Sequence, residues 1–112
     1  MASGQGVVPT MNALPYAASK AALRHLMSGI AMQLAPFGIR SNAVAPGAIY
    51  TGFLHDNGAS VENLTSLAGS FPFGRIGQPV EVSPLFVALA TDDLSFTSGS
   101  VFGAHGAEAG VW

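Results

Sequence analysis

Pro15-Tyr16-Ala17-Ala18-Ser19-Lys20-Ala21-Ala22-Leu23 is the stretch on which the reading of this chain turns. Its run of alanines behind a proline predicts a helix that opens at Pro15 and continues to about Ala35. Four residues separate Tyr16 from Lys20, so a helix projects phenol and ammonium from one face. A fixed positive charge close by stabilises phenolate over phenol. A tyrosine in that setting can give or take a proton at an alcohol or carbonyl oxygen. Taken alone, Tyr-x-x-x-Lys also describes an ordinary pair on a helix surface, and its context has to decide between the two.

Working outward, residues 1 to 13 are rich in Gly, Ser and Pro and read as loop. The helix that follows is apolar almost all round, the mark of a buried or interface helix, and Pro36 and Gly38 end it. A strand is expected over 39 to 45, closed by Pro46-Gly47, and then a loop over 47 to 58. A short helix is expected from Val61 to Gly69, a loop from Gly74 to Pro79, and another helix to about Ala90. Pro84 interrupts that helix, which places its first regular turn there with Ser83 as the cap. Thr91-Asp92-Asp93 reads as a polar stop, Ser98 to Gly103 as a short buried strand, and the rest as a glycine-rich tail. Helix and strand alternate, so the fold class is α/β with a right-handed crossover between parallel strands. Two strands make a poor parallel sheet. The expected architecture is therefore the C-terminal portion of a Rossmann-like doubly wound parallel sheet. It comprises two strands and two or three helices, with the N-terminal βαβ units missing.

The chain has 112 residues, which bounds it to one domain. Only 9% of it is charged and 49% is apolar. An ordinary soluble domain is roughly a quarter charged, so much of this surface is expected to be covered by something else. The four basic residues are scattered among six acidic ones, leaving no patch for nucleic acid or anionic lipid. The absence of cysteine excludes disulfides, thiolate metal sites and a cysteine nucleophile, and fits the cytoplasm. Met1-Ala2-Ser3-Gly4-Gln5-Gly6 is no secretory leader, and Lys20, Arg24 and His25 interrupt residues 14 to 36, which argues against a membrane span. His25, His55 and His105 lack ligand spacing with carboxylates, so no metal is expected.

At this point the residues resemble a family. The chain is similar to the C-terminal part of the short-chain dehydrogenase/reductases, Rossmann-type NAD(P)-dependent oxidoreductases, from Ser3 to about Gly106. Ser3 stands thirteen residues before Tyr16, the usual separation of that family's catalytic serine and tyrosine. Gly38-Ile39-Arg40 and Asn42-Ala43-Val44-Ala45-Pro46-Gly47 resemble its helix end and following strand. Pro46-Gly47-Ala48-Ile49-Tyr50-Thr51 matches its Pro-Gly-x-Ile-x-Thr cofactor loop, and Gly74-Arg75-Ile76-Gly77-Gln78-Pro79 and Ser98-Gly99 match later landmarks.

The resemblance implies hydride transfer between a nicotinamide, NAD or NADP, and a secondary alcohol or ketone. Tyr16 is then the general acid/base, and Lys20 favours its phenolate and binds the nicotinamide ribose. Ser3 hydrogen-bonds the substrate oxygen, while Pro46, Gly47, Ile49 and Thr51 hold the nicotinamide end. Residues 50 to 74, with Phe53, Leu64, Leu67, Phe71 and Phe73, resemble a substrate lid. A homo-oligomer through helix 14–36 and the last strand is implied for an intact parent. The family's Gly-x-x-x-Gly-x-Gly pyrophosphate turn is not in these residues, because Gly4-Gln5-Gly6 runs into Val7-Val8-Pro9 and not into a helix. His105 stands where the family commonly has aspartate. A second reading therefore stays open, in which the chain is a truncated, catalytically incompetent fragment acting only through protein–protein contact or without independent function.

Overall fold

The structure is a computed structural model that describes residues 1–6, 13–56, 58 and 60–108, with His55 described by its backbone alone. The expected loop over 7–12 and the end of the tail, 109–112, lie outside the described residues. Helix α1 spans Leu14–Leu34 with Pro15 in its first turn, where a missing N–H costs no intrahelical bond. A 3₁₀ turn over Ala35–Phe37 follows, and Gly38 closes it at φ +70°, a left-handed conformation that glycine adopts without strain.

Strand β1 spans Ala43–Pro46 and pairs in parallel with β2, Val101–Ala104, in the register Ala43 to Val101 and Pro46 to Ala104. The other edge of β1 is also engaged, because the Ala2 amide donates to the Val44 carbonyl at 2.8 Å. Residues 43 to 45 are accordingly buried, Val44 most completely, and Ala2, Met27, Ala43 and Ala45 form one apolar cluster with Val101 against it. The fold class is as expected, α/β around a small parallel sheet.

Several boundaries differ from expectation; the second strand, expected from Ser98 to Gly103, runs only over Val101–Ala104. The expected strand over 39–45 begins only at Ala43. Upstream of it, one backbone bond remains, from the Gly99 amide to the Ser41 carbonyl at 2.7 Å, and side chains supply the rest: Asn42 Nδ2 donates to the Thr97 carbonyl at 2.8 Å and Asn42 Oδ1 accepts from the Ser100 amide at 3.1 Å. The expected loop over 47–58 contains a short helix, α2, at Gly52–Asp56, so four α-helices are described where two or three were expected. Helix α3, Val61–Ser70, starts at Ser60, whose hydroxyl accepts from the Asn63 amide at 3.2 Å. Helix α4 spans Pro79–Ala90 and therefore runs through Pro84. Ser83 is not its cap; the hydroxyl donates to the Pro79 carbonyl at 3.0 Å inside the helix. The start at Pro79 is stabilised by Glu81, whose carboxylate accepts from the Gln78 amide at 2.8 Å.

Helix α1 buries only Ala17, Met27 and Ala31 among the described residues. Leu14, Leu26 and Met32 stand exposed, so the apolar circumference expected to be covered is not covered within this chain.

Arg40 ties the last helix to the sheet. Its Nη2 donates to the carbonyls of Leu89 at 2.9 Å and Thr91 at 3.0 Å, and Nη1 to that of Thr97 at 3.5 Å. A guanidinium at a helix C-terminus satisfies carbonyls that lack intrahelical donors and complements the helix dipole. Arg40→Met removes these bonds while keeping much of the side chain's bulk. We expect it to lower unfolding free energy by about 2 kcal/mol, read from the midpoint of urea denaturation.

Candidate functional site

The face of α1 that carries Tyr16 and Lys20 meets the first residues of the chain. Lys20 Nζ lies 5.2 Å from the centroid of the Tyr16 ring and donates to the Met1 carbonyl at 3.4 Å. Tyr16 is 39% exposed, so its ring faces solvent beside the ammonium. A 3₁₀ turn over Gly4–Gly6 packs on α1. Gly6 makes that approach possible, since a Cβ there would lie 2.9 Å from the Lys20 carbonyl carbon and 3.1 Å from the Ala21 nitrogen. The segment 1–6 thus bridges β1, through Ala2, and the Lys20 turn.

Ser3 sits inside that bridge. Its hydroxyl accepts from the Gln5 amide at 3.3 Å and its carbonyl from the Gly6 amide at 3.0 Å. The three predicted catalytic residues are carried by two elements in contact, although Ser3 and Tyr16 share no hydrogen bond among the described residues.

The predicted cofactor loop leaves the carboxyl end of β1. Pro46 is the last residue of the strand, and the Gly47 amide donates to the Ala104 carbonyl at 3.0 Å. Gly47 is closely backed, because a Cβ there would stand 2.8 Å from His105 Cβ. A side chain at Gly103 would collide with the His105 imidazole itself. His105, expected to be a solvated or satisfied histidine, is buried, while His25 is exposed. Thr51 is exposed, and its carbonyl accepts from the Leu54 amide at 3.1 Å as α2 begins. Ile49 forms a β-bridge with Gly77. The Tyr50 amide donates to the Gly77 carbonyl at 2.8 Å, and the Gly77 amide to the Ala48 carbonyl at 3.0 Å.

Reading the sequence assigned no role to Arg75 or Glu81. In the structure Arg75 grips Glu81 with both guanidinium nitrogens, at 2.6 and 2.7 Å. The hydrogen bond from Arg75, then that from the Gln78 amide, holds the Glu81 carboxyl down at about 2, and the same bond raises Arg75. The acidic residue three positions after Gln78, at the front of an apolar run, was the legible signal. Next to this pair lies a cavity of about 170 Å³, walled by Ile49, Phe71, Phe73, Val82 and His105. In the lid region, Phe53 and Phe73 stand exposed while Leu64, Leu67 and Phe71 are half-buried.

By chemistry alone, Lys20, Tyr16 and Thr51 offer an ammonium, a phenol and a hydroxyl, donor types that one end of a dinucleotide could accept. The pyrophosphate end has no cradle among the described residues: the turn at Gly4–Gly6 is closed against the Lys20 backbone. No group of three or more potential metal ligands occurs among the described residues.

Two outcomes follow from this geometry. Gly6→Ala must push the 4–6 turn away from Lys20, and we expect a loss of about 1–3 kcal/mol in thermal unfolding, with weakened contact at Met1. The Glu81 carboxyl titrates below its usual 4.5, so whatever the pair contributes is complete above about pH 4.5 and is lost as pH falls towards about 2. An NMR titration of the Glu81 side chain should have its midpoint near that lower value.

Comparison with known proteins places the chain. The family model described as "Enoyl-(Acyl carrier protein) reductase" matches residues 1–106. The cyclopentanol dehydrogenase of Comamonas testosteroni is 39% identical over 95 residues, covering 85% of this chain and 38% of that protein. The crystal structure of a short chain dehydrogenase family protein from Francisella tularensis subsp. tularensis SCHU S4 superposes with a TM-score of 0.84 at 29% identity, over 95% of this chain and 48% of the other. A gluconate 5-dehydrogenase from Burkholderia cenocepacia J2315, in complex with NADP and tartrate, gives a TM-score of 0.87 at 29% identity, over 95% and 42%. The first curated relatives are matched over 31% to 36% of their own length, so the chain spans about a third of them. By the family match over nearly all its residues and by these folds, the chain belongs to the short-chain dehydrogenase/reductase family of oxidoreductases.

Proposed function

We propose that these residues are the catalytic and lid portion, residues 1–112, of a single Rossmann-type domain. That domain passes hydride between NAD or NADP and a secondary alcohol or ketone. The observation that carries this reading is the pair on α1, with Lys20 Nζ 5.2 Å from the Tyr16 ring centroid and that ring open to solvent. Cyclopentanol, in one relative's name, is a secondary alcohol, and NADP accompanies a structural neighbour, which supports the substrate and cofactor classes.

The nicotinamide, when bound, accepts or supplies the hydride. Tyr16 takes the hydroxyl proton of the alcohol, or returns it to the carbonyl oxygen in the reverse direction. Lys20 keeps a positive charge beside the phenol and offers a donor to the ribose. Ser3 donates to the substrate oxygen as charge develops there. Pro46 and Gly47 shape the turn, and Ile49 and Thr51 present backbone and hydroxyl groups to the carboxamide. The exposed Phe53 and Phe73 favour a neutral, apolar substrate beneath residues 50–74. Association of intact copies through α1 is supported by the exposed Leu14, Leu26 and Met32.

The 112 residues alone form a two-stranded sheet without a pyrophosphate cradle among the described residues, which favours the fragment reading for the isolated chain. Titrated with NADH and followed by cofactor fluorescence, it should give no saturable signal. Joined to a dinucleotide-binding half, it should turn over. In that intact protein, Tyr16→Phe should reduce turnover by about 10²-fold or more with cofactor affinity changed only a few-fold. Retained turnover would remove Tyr16 from the chemistry.

A further inference from the structure

The predicted nicotinamide loop is gripped by a turn almost thirty residues further along the chain. Residues 48 to 50 pair edge to edge with Gly77, through the Tyr50 amide to the Gly77 carbonyl at 2.8 Å and the Gly77 amide to the Ala48 carbonyl at 3.0 Å. Gly77 also lies close against the Ile49 side chain, since a Cβ there would meet Ile49 Cδ1 at 2.7 Å. Its neighbours are fixed in turn. Gly74 turns the chain at φ +66°, Arg75 reaches across the turn to Glu81 on α4, and Glu81 Oε2 also accepts from the Gln78 amide at 2.8 Å. One carboxylate therefore binds the two residues that flank the Ile76-Gly77 dipeptide.

We infer that Arg75 and Glu81 are positioning residues for the nicotinamide loop. Their ion pair clamps the 74–79 turn, so that Gly77 holds Ala48, Ile49 and Tyr50 in the conformation that meets the cofactor. The assignment of that loop to the cofactor rests on the proposed function above; the mechanical link from Arg75–Glu81 to Tyr50 does not. An exposed ion pair is ordinarily worth little, because solvent and salt screen it and two long side chains must be ordered. This one differs in being bidentate and in sharing its acid with a backbone amide, so the cost of ordering Glu81 serves three bonds. The low Glu81 titration agrees with that sharing.

The test is amide hydrogen exchange by NMR on the full 112-residue chain, without cofactor. Tyr50 and Gly77 are the reporters; Ala43 and Gly47, bonded to Ser100 and Ala104 in the sheet, are the controls. Glu81→Gln and Arg75→Met should each speed exchange at Tyr50 and Gly77 by about fivefold and leave Ala43 and Gly47 unchanged. Arg75→Lys, which keeps the cation without the fork, should recover part of the loss. Glu62→Gln, a carboxylate on α3 outside the clamp, should change nothing. On the unmodified chain, raising salt from about 10 mM to about 1 M should reproduce the selective loss by screening the pair. The inference is overturned if Tyr50 and Gly77 are unprotected in the unmodified chain. Unchanged exchange there in both variants and at high salt overturns it, as does equal acceleration at Ala43 and Gly47. None of these readings involves NADH or turnover, so failure of the clamp is distinguishable from failure of the proposed chemistry.

Discussion

Everything in this molecule hangs on four residues of parallel ladder between Ala43–Pro46 and Val101–Ala104. Parallel pairing cannot be closed by a tight turn, so it brings together segments almost sixty residues apart and fixes the ends of all that lies between. At its carboxyl end the ladder delivers Gly47 and His105 side by side, and with them the loop from Ala48 to Thr51. At its amino end Asn42 and Arg40 continue the connection by side chain, joining residues 97 to 100 and the end of α4 to the same strand. The far edge of β1 receives Ala2, which carries the serine-bearing segment to the turn of Lys20. Loss of this ladder would leave the proposed donors on unconnected pieces of chain.

The ladder is also economical in side chains. Alanines at 43 and 45 flank Val44, and the cluster beneath them draws on Ala2 and Met27. Small residues let helix and strand approach closely but bury little apolar area apiece, and burial of apolar area is the main favourable term in folding. Large apolar groups, among them Met32, Phe37, Phe86 and Val87, remain outside. Among the described residues the buried cluster is built mainly of small side chains while many large ones stand outside it, which fits a piece of a wider sheet.

The sequence disclosed the α/β class, the long helix and the position of both strands because proline, glycine and alternating apolar runs act locally. It disclosed the tyrosine and lysine because helical spacing alone brings them together. What it hid depended on partners distant along the chain. Strand β1 begins late because Asn42 bonds to residues 97 and 100, and no local pattern announces that. Helix α4 begins ahead of Pro84 because Glu81 secures the start at Gln78. The short helix after Thr51 has no strong periodicity to betray it, being only five residues long. The exposure of α1 was illegible for another reason: an apolar circumference states what a helix needs, not whether the same chain supplies it. Arg75 was visible as part of a landmark, but its pairing with Glu81 is a matter of how a turn folds back on a helix.

Gly103 on the last strand and His105, just beyond its end, occupy a single volume between them. The imidazole fills the space that any substituent at position 103 would need, while the Cα and Cβ of the same histidine lie against Gly47. Positions 103 and 105 therefore cannot drift independently during evolution. A lineage that exchanged the histidine for a smaller residue would gain permission for a methyl group at 103, whereas position 47 stays closed by the Cα of residue 105 whatever side chain it carries. The local rule of variation is thus a trade of bulk between 103 and 105, with 47 held to glycine by backbone.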